Sequence, residues 1–212
     1  MELPNAMTVV GAEPLAICLY NAWQKLLGEF PERGAILTLL GFSAHETGRW
    51  KACHCWNLGN VKSKEGDGRD HTFFRCWEVE QGQTVWYNPP HPATRFRAFR
   101  TLTEGAVDYL GFLRGSRRYA RAWPELALGN PVAFVQALKA GGYFTAPEGP
   151  VAASVSSLFR EFDKRIAPFD TAPEPDIDDA TRERTQALVA LSLSELAAPF
   201  VVPEKPDPDD IA

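Results

Sequence analysis

The chain is short of several things, and each shortage narrows its class. In 212 residues no apolar run approaches the ~18–20 residues that a membrane-spanning helix needs. No block of Lys and Arg is long enough to act as a nucleic-acid arm, and the net charge is -5. Neither a nucleic-acid partner nor a membrane span is expected, and the Arg117-Arg118 pair reads as a solvated helix face. There is no internal repeat. The opening residues, MELPNAMTVVGAEPLAICLY, carry neither a basic n-region nor a small-residue cleavage site, so no cleavable leader is expected. Cysteines are few: Cys18, Cys53, Cys55 and Cys76. Cys53-His54-Cys55 with His71 and Cys76 could be drawn as a zinc site, but a single residue between two cysteines misses the usual structural zinc spacing. A Cys53–Cys76 disulfide would require an oxidising compartment. Free, partly buried thiols are the expectation, with no metal and no organic cofactor.

What is present suffices for a sizeable core: 45% of residues are hydrophobic. Residues 13–29 set Leu15, Leu19, Trp23, Leu26 and Leu27 on one helical stripe. A second helix runs from Pro31-Glu32 to about Gly48. It is apolar nearly all round, through Ile36, Leu37, Leu39, Leu40 and Phe42, and is therefore expected to be central and buried. Residues 51–70 are polar and loop-like, with turns at Gly59, Gly66 and Gly68. Two alternating runs, 71–79 and 83–89, flank Glu80-Gln81-Gly82 and predict a β-hairpin. The Pro-rich 89–94 cannot continue a ladder. Helices are then expected over 104–113, 119–128, 131–140 (closed by Gly141-Gly142) and 154–166.

From about 167 the composition shifts to Pro and acid, interrupted by an amphipathic stretch from Ala180 to Ala198. The expected organisation is a domain over 1–166, followed by a Pro/Asp-rich linker, a docking helix and a flexible tail over 167–212. The domain is predicted to be α+β and mainly helical, with a small β-hairpin lobe inserted in a helical body and a cleft between the two.

The most informative segment is Ala44-His45-Glu46-Thr47-Gly48-Arg49-Trp50, followed by Trp56-Asn57-Leu58-Gly59-Asn60-Val61-Lys62. Cleaving a glycosidic bond needs a protonated carboxylic acid beside the leaving oxygen, its pKa raised by burial. Glu46 falls in the last turn of an apolar helix, facing the negative end of the helix dipole, where its proton is held more tightly. Asn57 and Asn60 offer amides to sugar hydroxyls or N-acetyl groups, and Trp50 and Trp56 offer faces for stacking. Each has a plainer alternative. An isolated Glu near a helix end is usually just exposed, and tryptophans more often fill cores than platforms. His45 is adjacent to Glu46 in sequence but points elsewhere on a helix.

The order of these pieces resembles that of the bacterial and phage β-N-acetylglucosaminidases of the flagellar-rod and autolysin type, glycoside hydrolase family 73. The resemblance spans roughly residues 13–165. It rests on His45-Glu46-Thr47-Gly48 at a helix end, the turn Asn57-Leu58-Gly59-Asn60-Val61-Lys62, and Cys76-Trp77-Glu78-Val79 in the hairpin. Phe96-Arg97-Ala98-Phe99, Tyr109, Tyr119-Ala120 and Gly142-Tyr143-Phe144-Thr145 follow in order. It implies a lysozyme-like fold and hydrolysis of β-1,4 bonds in the peptidoglycan glycan strand, without a cofactor. It further implies Glu46 as general acid, Glu78 as the carboxylate that activates water, and Tyr143 lining the cleft beside the acid, with Asn57 and Asn60 as sugar contacts; Trp56 is a candidate contact by its stacking face alone. Glu65, Asp67, Asp70 and Glu80 compete with Glu78 for the second role. The turn departs from the family's Asn-Asn-x-x-Gly form, and Cys53-His54-Cys55 is foreign to it.

A lytic transglycosylase on the same fold and a glycan-binding module that has lost catalysis are the rival expectations. Without a cleavable leader, the expectation is synthesis in the cytoplasm and action in the periplasm or on the cell wall after delivery, as a secreted effector or a phage lysis protein. The acidic C-terminal tail is then the expected handle for delivery machinery or a cognate inhibitor.

Overall fold

The computed structural model describes residues 1–167. Six α-helices and four short strands build it: α1 (Ala12–Leu27), α2 (Arg33–Glu46), β1 (His71–Phe73), β2 (Cys76–Glu80), β3 (Gln83–Tyr87), β4 (Arg95–Arg97), α3 (Leu102–Gly115), α4 (Ala122–Ala127), α5 (Pro131–Ala140) and α6 (Glu148–Arg165). The expected docking helix and tail lie outside the described residues. No described helix is long and apolar enough to cross a membrane.

The core is helical. Every residue of α2 from Ala35 to Ala44 is buried, as its apolar surround requires. Leu37, Leu39 and Leu40 are sealed off almost completely, each contributing about 2 kcal/mol of burial. α2 packs most extensively on α6, and α1 on α3. Gly41 permits the first contact, since a Cβ there would stand 3.0 Å from the Val155 carbonyl oxygen. The stripe on α1 is as expected at Leu15, Leu19 and Trp23, which are buried, and Trp23 stacks on Trp123 with centroids 5.0 Å apart.

α2 stops because the chain reverses. Gly48, Arg49 and Trp50 all take positive φ (56°, 58° and 62°), a left-handed run that only glycine enters freely. Thr47 holds the reversal together. Its Oγ1 donates to the Ser43 carbonyl (2.7 Å) and accepts from the Trp50 N–H (3.1 Å). The turn throws the Trp50 indole back into the core, where it stacks on Phe162 at 5.7 Å and donates to Ser43 Oγ at 3.1 Å. Trp50 is thus a core residue, not a sugar platform.

The β-lobe differs from its expected form. The run 71–79 is not one strand: β1 pairs antiparallel with β4 (His71↔Arg97), and β2 pairs antiparallel with β3 (Cys76↔Tyr87 to Glu80↔Gln83). These are separate two-stranded sheets. The hairpin β2–β3 is where alternation placed it, with its turn at Gln81-Gly82. β4 and the short 3-10 turn before it (Pro92–Thr94) occupy a stretch for which no strand was expected. α6 begins six residues earlier than expected, because Pro150 sits in its first turn, where a missing N–H costs nothing.

The Cys53-His54-Cys55 segment has a structural use. The Thr8 N–H donates to the Cys53 carbonyl (2.8 Å) and the Cys55 N–H to the Ala6 carbonyl (2.9 Å), lacing the N-terminal strap to the body. Both thiols are buried and all four cysteines are free.

Candidate active site

Glu46 is the last residue of α2. The turn 57–60 closes over this helix end. Asn60 Nδ2 donates to the Glu46 carbonyl (2.5 Å), one of those that a helix C-terminus leaves open, and Ser43 Oγ of α2 donates in turn to the Leu58 carbonyl (2.7 Å). Asn60 takes φ 48°, a conformation that Asn tolerates better than most residues.

Asn57 holds the turn together from within. It is 1% exposed. Its Oδ1 accepts from the Val61 N–H (2.8 Å), while its Nδ2 donates to the Val61 and Arg97 carbonyls (2.9 and 3.0 Å). The expected sugar contact is corrected here: the amide is spent on backbone and presents nothing to a cleft. Asn60 is spent in part, with Nδ2 bound to Glu46 and Oδ1 buried without a protein partner.

Two tyrosines complete the surroundings of the acid. Tyr143 donates its hydroxyl to the Gly59 carbonyl at 2.8 Å. Tyr109, from α3, is 2% exposed, and its hydroxyl has no protein partner. Both rings press on Gly59, where a Cβ would come within 2.6 Å of the Tyr143 hydroxyl and 2.7 Å of Tyr109 Cε2. Burial, with the nearby Glu46 carboxyl contributing, pushes both phenols well above their usual range. Glu46 itself is half-buried, and burial lifts its carboxyl from the ordinary 4.5 to about 7. At neutral pH it is therefore poised to give up a proton.

Tyr109 was assigned no role by sequence reasoning. The signal for it is thin: one hydroxyl among Ala106, Val107, Leu110 and Leu113 on the buried face of α3. His45 points away from the acid's surroundings, its Nδ1 3.0 Å from Ser154 Oγ on α6. Trp56 is half-buried beside this turn. Its N–H donates to Thr8 Oγ1 (2.8 Å), and its carbonyl abuts Gly105 so closely that a Cβ there would lie 2.2 Å away.

Glu78 lies on β2, opposite Val85 of β3. Its carboxylate pairs with Lys62 Nζ at 2.9 Å, and Lys62 ends the same segment that closes over Glu46. The competing acids are otherwise engaged. Asp67, despite partial burial, is held low by the Arg69 and Lys64 N–H groups and the Ser63 hydroxyl. Asp70 pairs with the Met1 amine (3.0 Å) and Arg100 (3.3 Å). Glu80 accepts from the Tyr87 hydroxyl, and Glu65 is exposed in the loop. Among the described residues, no three His, Cys, Asp or Glu side chains converge as a metal site would need.

No protein-family model matches the chain, and no curated protein does. Solved structures do. A peptidoglycan hydrolase mutant from Sphingomonas sp. A1 is 22% identical with a TM-score of 0.51, the match covering 84% of this chain and 96% of that one. The catalytic domain of the autolysin Auto from Listeria monocytogenes is 15% identical with a TM-score of 0.51, covering 72% of this chain and 82% of that one. At these identities the likeness is one of fold, and it agrees with the element order: the chain has the lysozyme-like α+β fold, a helical body carrying a small hairpin lobe.

Proposed function

We propose that this protein is a peptidoglycan hydrolase that cleaves β-1,4 bonds of the glycan strand on the N-acetylglucosamine side, with Glu46 as general acid. One observation carries the reading: a carboxyl lifted to about 7 by burial, at the end of a helix buried from Ala35 to Ala44. It stands on the fold of a peptidoglycan hydrolase and an autolysin catalytic domain. In the proposed reaction Glu46 gives its proton to the glycosidic oxygen as the bond to the anomeric carbon breaks. The Glu78 carboxylate takes a proton from the water that attacks that carbon from the opposite face. Inversion results, and such a pair works across roughly 6.5–9.5 Å. Burial keeps much of Glu46 protonated at neutral pH, as a general acid requires. Tyr143 and Asn60 hold the turn that walls the acid, and Trp56 belongs to that wall as a sugar contact. Asn57 serves as the turn's internal anchor.

With this substrate the place of action is the cell wall. The Pro- and Asp-rich segment from 167 onward is the handle for delivery machinery or a cognate inhibitor. Deleting 168–212 should spare hydrolysis by the purified protein and abolish that recognition.

The test is digestion of purified peptidoglycan by wild type and Glu46→Gln, with new chain ends identified by mass spectrometry after borohydride reduction. Reduced N-acetylglucosamine ends made by wild type alone are expected. Reduced muramic ends would reassign the bond, and anhydro ends would replace hydrolysis by transglycosylation. Binding without release, across pH and salt, would make the protein a glycan-binding module.

A further inference from the structure

Lys62 closes the segment over the acid, yet the reaction as written gives it no task. Four neighbours surround its ammonium. It pairs with Glu78 Oε1 at 2.9 Å, donates to the Ala93 carbonyl, lies 4.0 Å from the centre of the Phe96 ring and stands 3.5 Å from Cys76 Sγ. Two of these, Ala93 and Phe96, belong to the 3-10 turn and β4. The other two, Cys76 and Glu78, are alternate residues of β2 and so share one face of the hairpin. Cys76 repeats the link, its thiol donating to the same Ala93 carbonyl at 3.2 Å.

The hairpin needs such a fixing point. No described strand extends the β2–β3 sheet, and its cross-strand pair Trp77–Trp86 is about half exposed (53% and 52%). A two-stranded ribbon without a third strand is marginal by itself. The base in an inverting displacement must meanwhile stand at a set distance from the acid. Lys62 is the residue that spans the two requirements. Its own backbone bridges to Phe96, and five residues earlier Asn57 ties the same segment to Val61 and Arg97.

We infer that Lys62 is a positioning residue: its ammonium, seated on the Ala93 carbonyl and the Phe96 ring, fixes the Glu78 carboxylate of the hairpin relative to Glu46. This rests on the proposed role of Glu78. A carboxylate on a loose ribbon would sample many separations from the acid. The same carboxylate tethered through Lys62 shares one frame with the turn that closes α2. The cation also orients one Glu78 oxygen, leaving the other to meet water. Arginine could reproduce the charge and reach; an uncharged side chain could not.

The experiment compares Lys62→Met, Lys62→Arg, Glu78→Gln and the Lys62→Met/Glu78→Gln double variant of the full chain. All are assayed on solubilised peptidoglycan glycan chains, with folding checked by circular dichroism and thermal melting. The expected result is that Lys62→Met lowers kcat roughly tenfold or more, within the span of a mispositioned base, while KM changes little. Lys62→Arg should recover most of the loss, and the double variant should be no slower than Glu78→Gln alone. Should Lys62→Met fail to fold, Lys62→Gln takes its place, because its amide can still reach the Ala93 carbonyl without carrying charge.

If Glu78→Gln is inactive while Lys62→Met keeps the wild-type kcat, Lys62 is not a positioning residue and Glu78 keeps its role. If Glu78→Gln is fully active, both the role of Glu78 and the inference fall together. If Lys62→Met raises KM alone, or the losses in the double variant multiply, Lys62 acts independently of Glu78 and the inference fails.

Discussion

Replacing Glu46 by Gln should make the protein less sensitive to pH, and the size of the effect follows from burial. The carboxyl loses its proton at about 7 in the folded chain against 4.5 ordinarily. Between those values the folded state holds a proton that the unfolded state has released. Stability contributed by the group is therefore complete below pH 4.5 and is lost as pH rises through about 7. At about 1.4 kcal/mol per pH unit, the whole interval amounts to about 3 kcal/mol, of which about 2.5 kcal/mol falls between pH 5 and pH 8. The glutamine side chain has a similar shape and does not titrate.

Other groups titrate as well, and burial lowers the pKa of His45. They are present in both proteins and cancel in the comparison. The assay is urea unfolding of wild type and Glu46→Gln at pH 5 and pH 8. The stability gap should shift in favour of Glu46→Gln by about 2.5 kcal/mol from the lower to the higher pH. With a urea slope of about 2 kcal/mol/M, that is a relative midpoint displacement of about 1 M. A gap that is the same at both pH values would mean that the carboxyl ionises as freely folded as unfolded. The general-acid reading would then lose its physical basis.

Three further outcomes are expected. Gly59→Ala should cost about 1–3 kcal/mol by overpacking, because the new methyl group meets the Tyr143 hydroxyl and the Tyr109 ring; unchanged thermal melting would refute the closeness of those rings. Asn57→Ala should lower stability by about 2–4 kcal/mol through its stranded backbone partners, while the KM of the folded fraction stays as in wild type; the reverse pattern would restore Asn57 as a sugar contact. Glu161, held at about 2 chiefly by hydrogen bonds from Arg49 with Arg165 assisting, is partly exposed. Glu161→Gln should therefore cost no more than about 1 kcal/mol at neutral pH. That loss should disappear as the pH falls from 4.5 toward 2, and unfolding at pH 7 and pH 2 measures both limbs.

How legible the molecule was depended on how local each cause is. The burial of α2 can be read from its own residues, since a helix that is apolar all round has nowhere to lie but inside. The position of Glu46 at its end follows from Gly48 two residues later. The hairpin was readable from alternation, but β1 and β4 were not. Each is three residues long and pairs with a partner more than twenty residues away, so neither segment carries a pattern of its own. For Trp50 the sequence left a stacking face and a core place both open for a similar reason: its place is decided by a backbone reversal and by Phe162, over a hundred residues away. Asn57 and Asn60 look alike in sequence, yet the turn buries one amide completely and leaves the other reaching for the helix end. Only three-dimensional closure separates them.

The burial of α2 from Ala35 to Ala44 has a consequence for how the two proposed carboxyls move. Amides in a helix packed on every side exchange with solvent only when the whole domain opens, whereas those of a two-stranded ribbon exchange through local fraying. The carboxyl of Glu46 is thus carried by the segment that should exchange last, and that of Glu78 by one that should exchange early. Any accommodation of a stiff polymeric ligand at the proposed site is then expected on the ribbon side, with the end of α2 as the steadier partner.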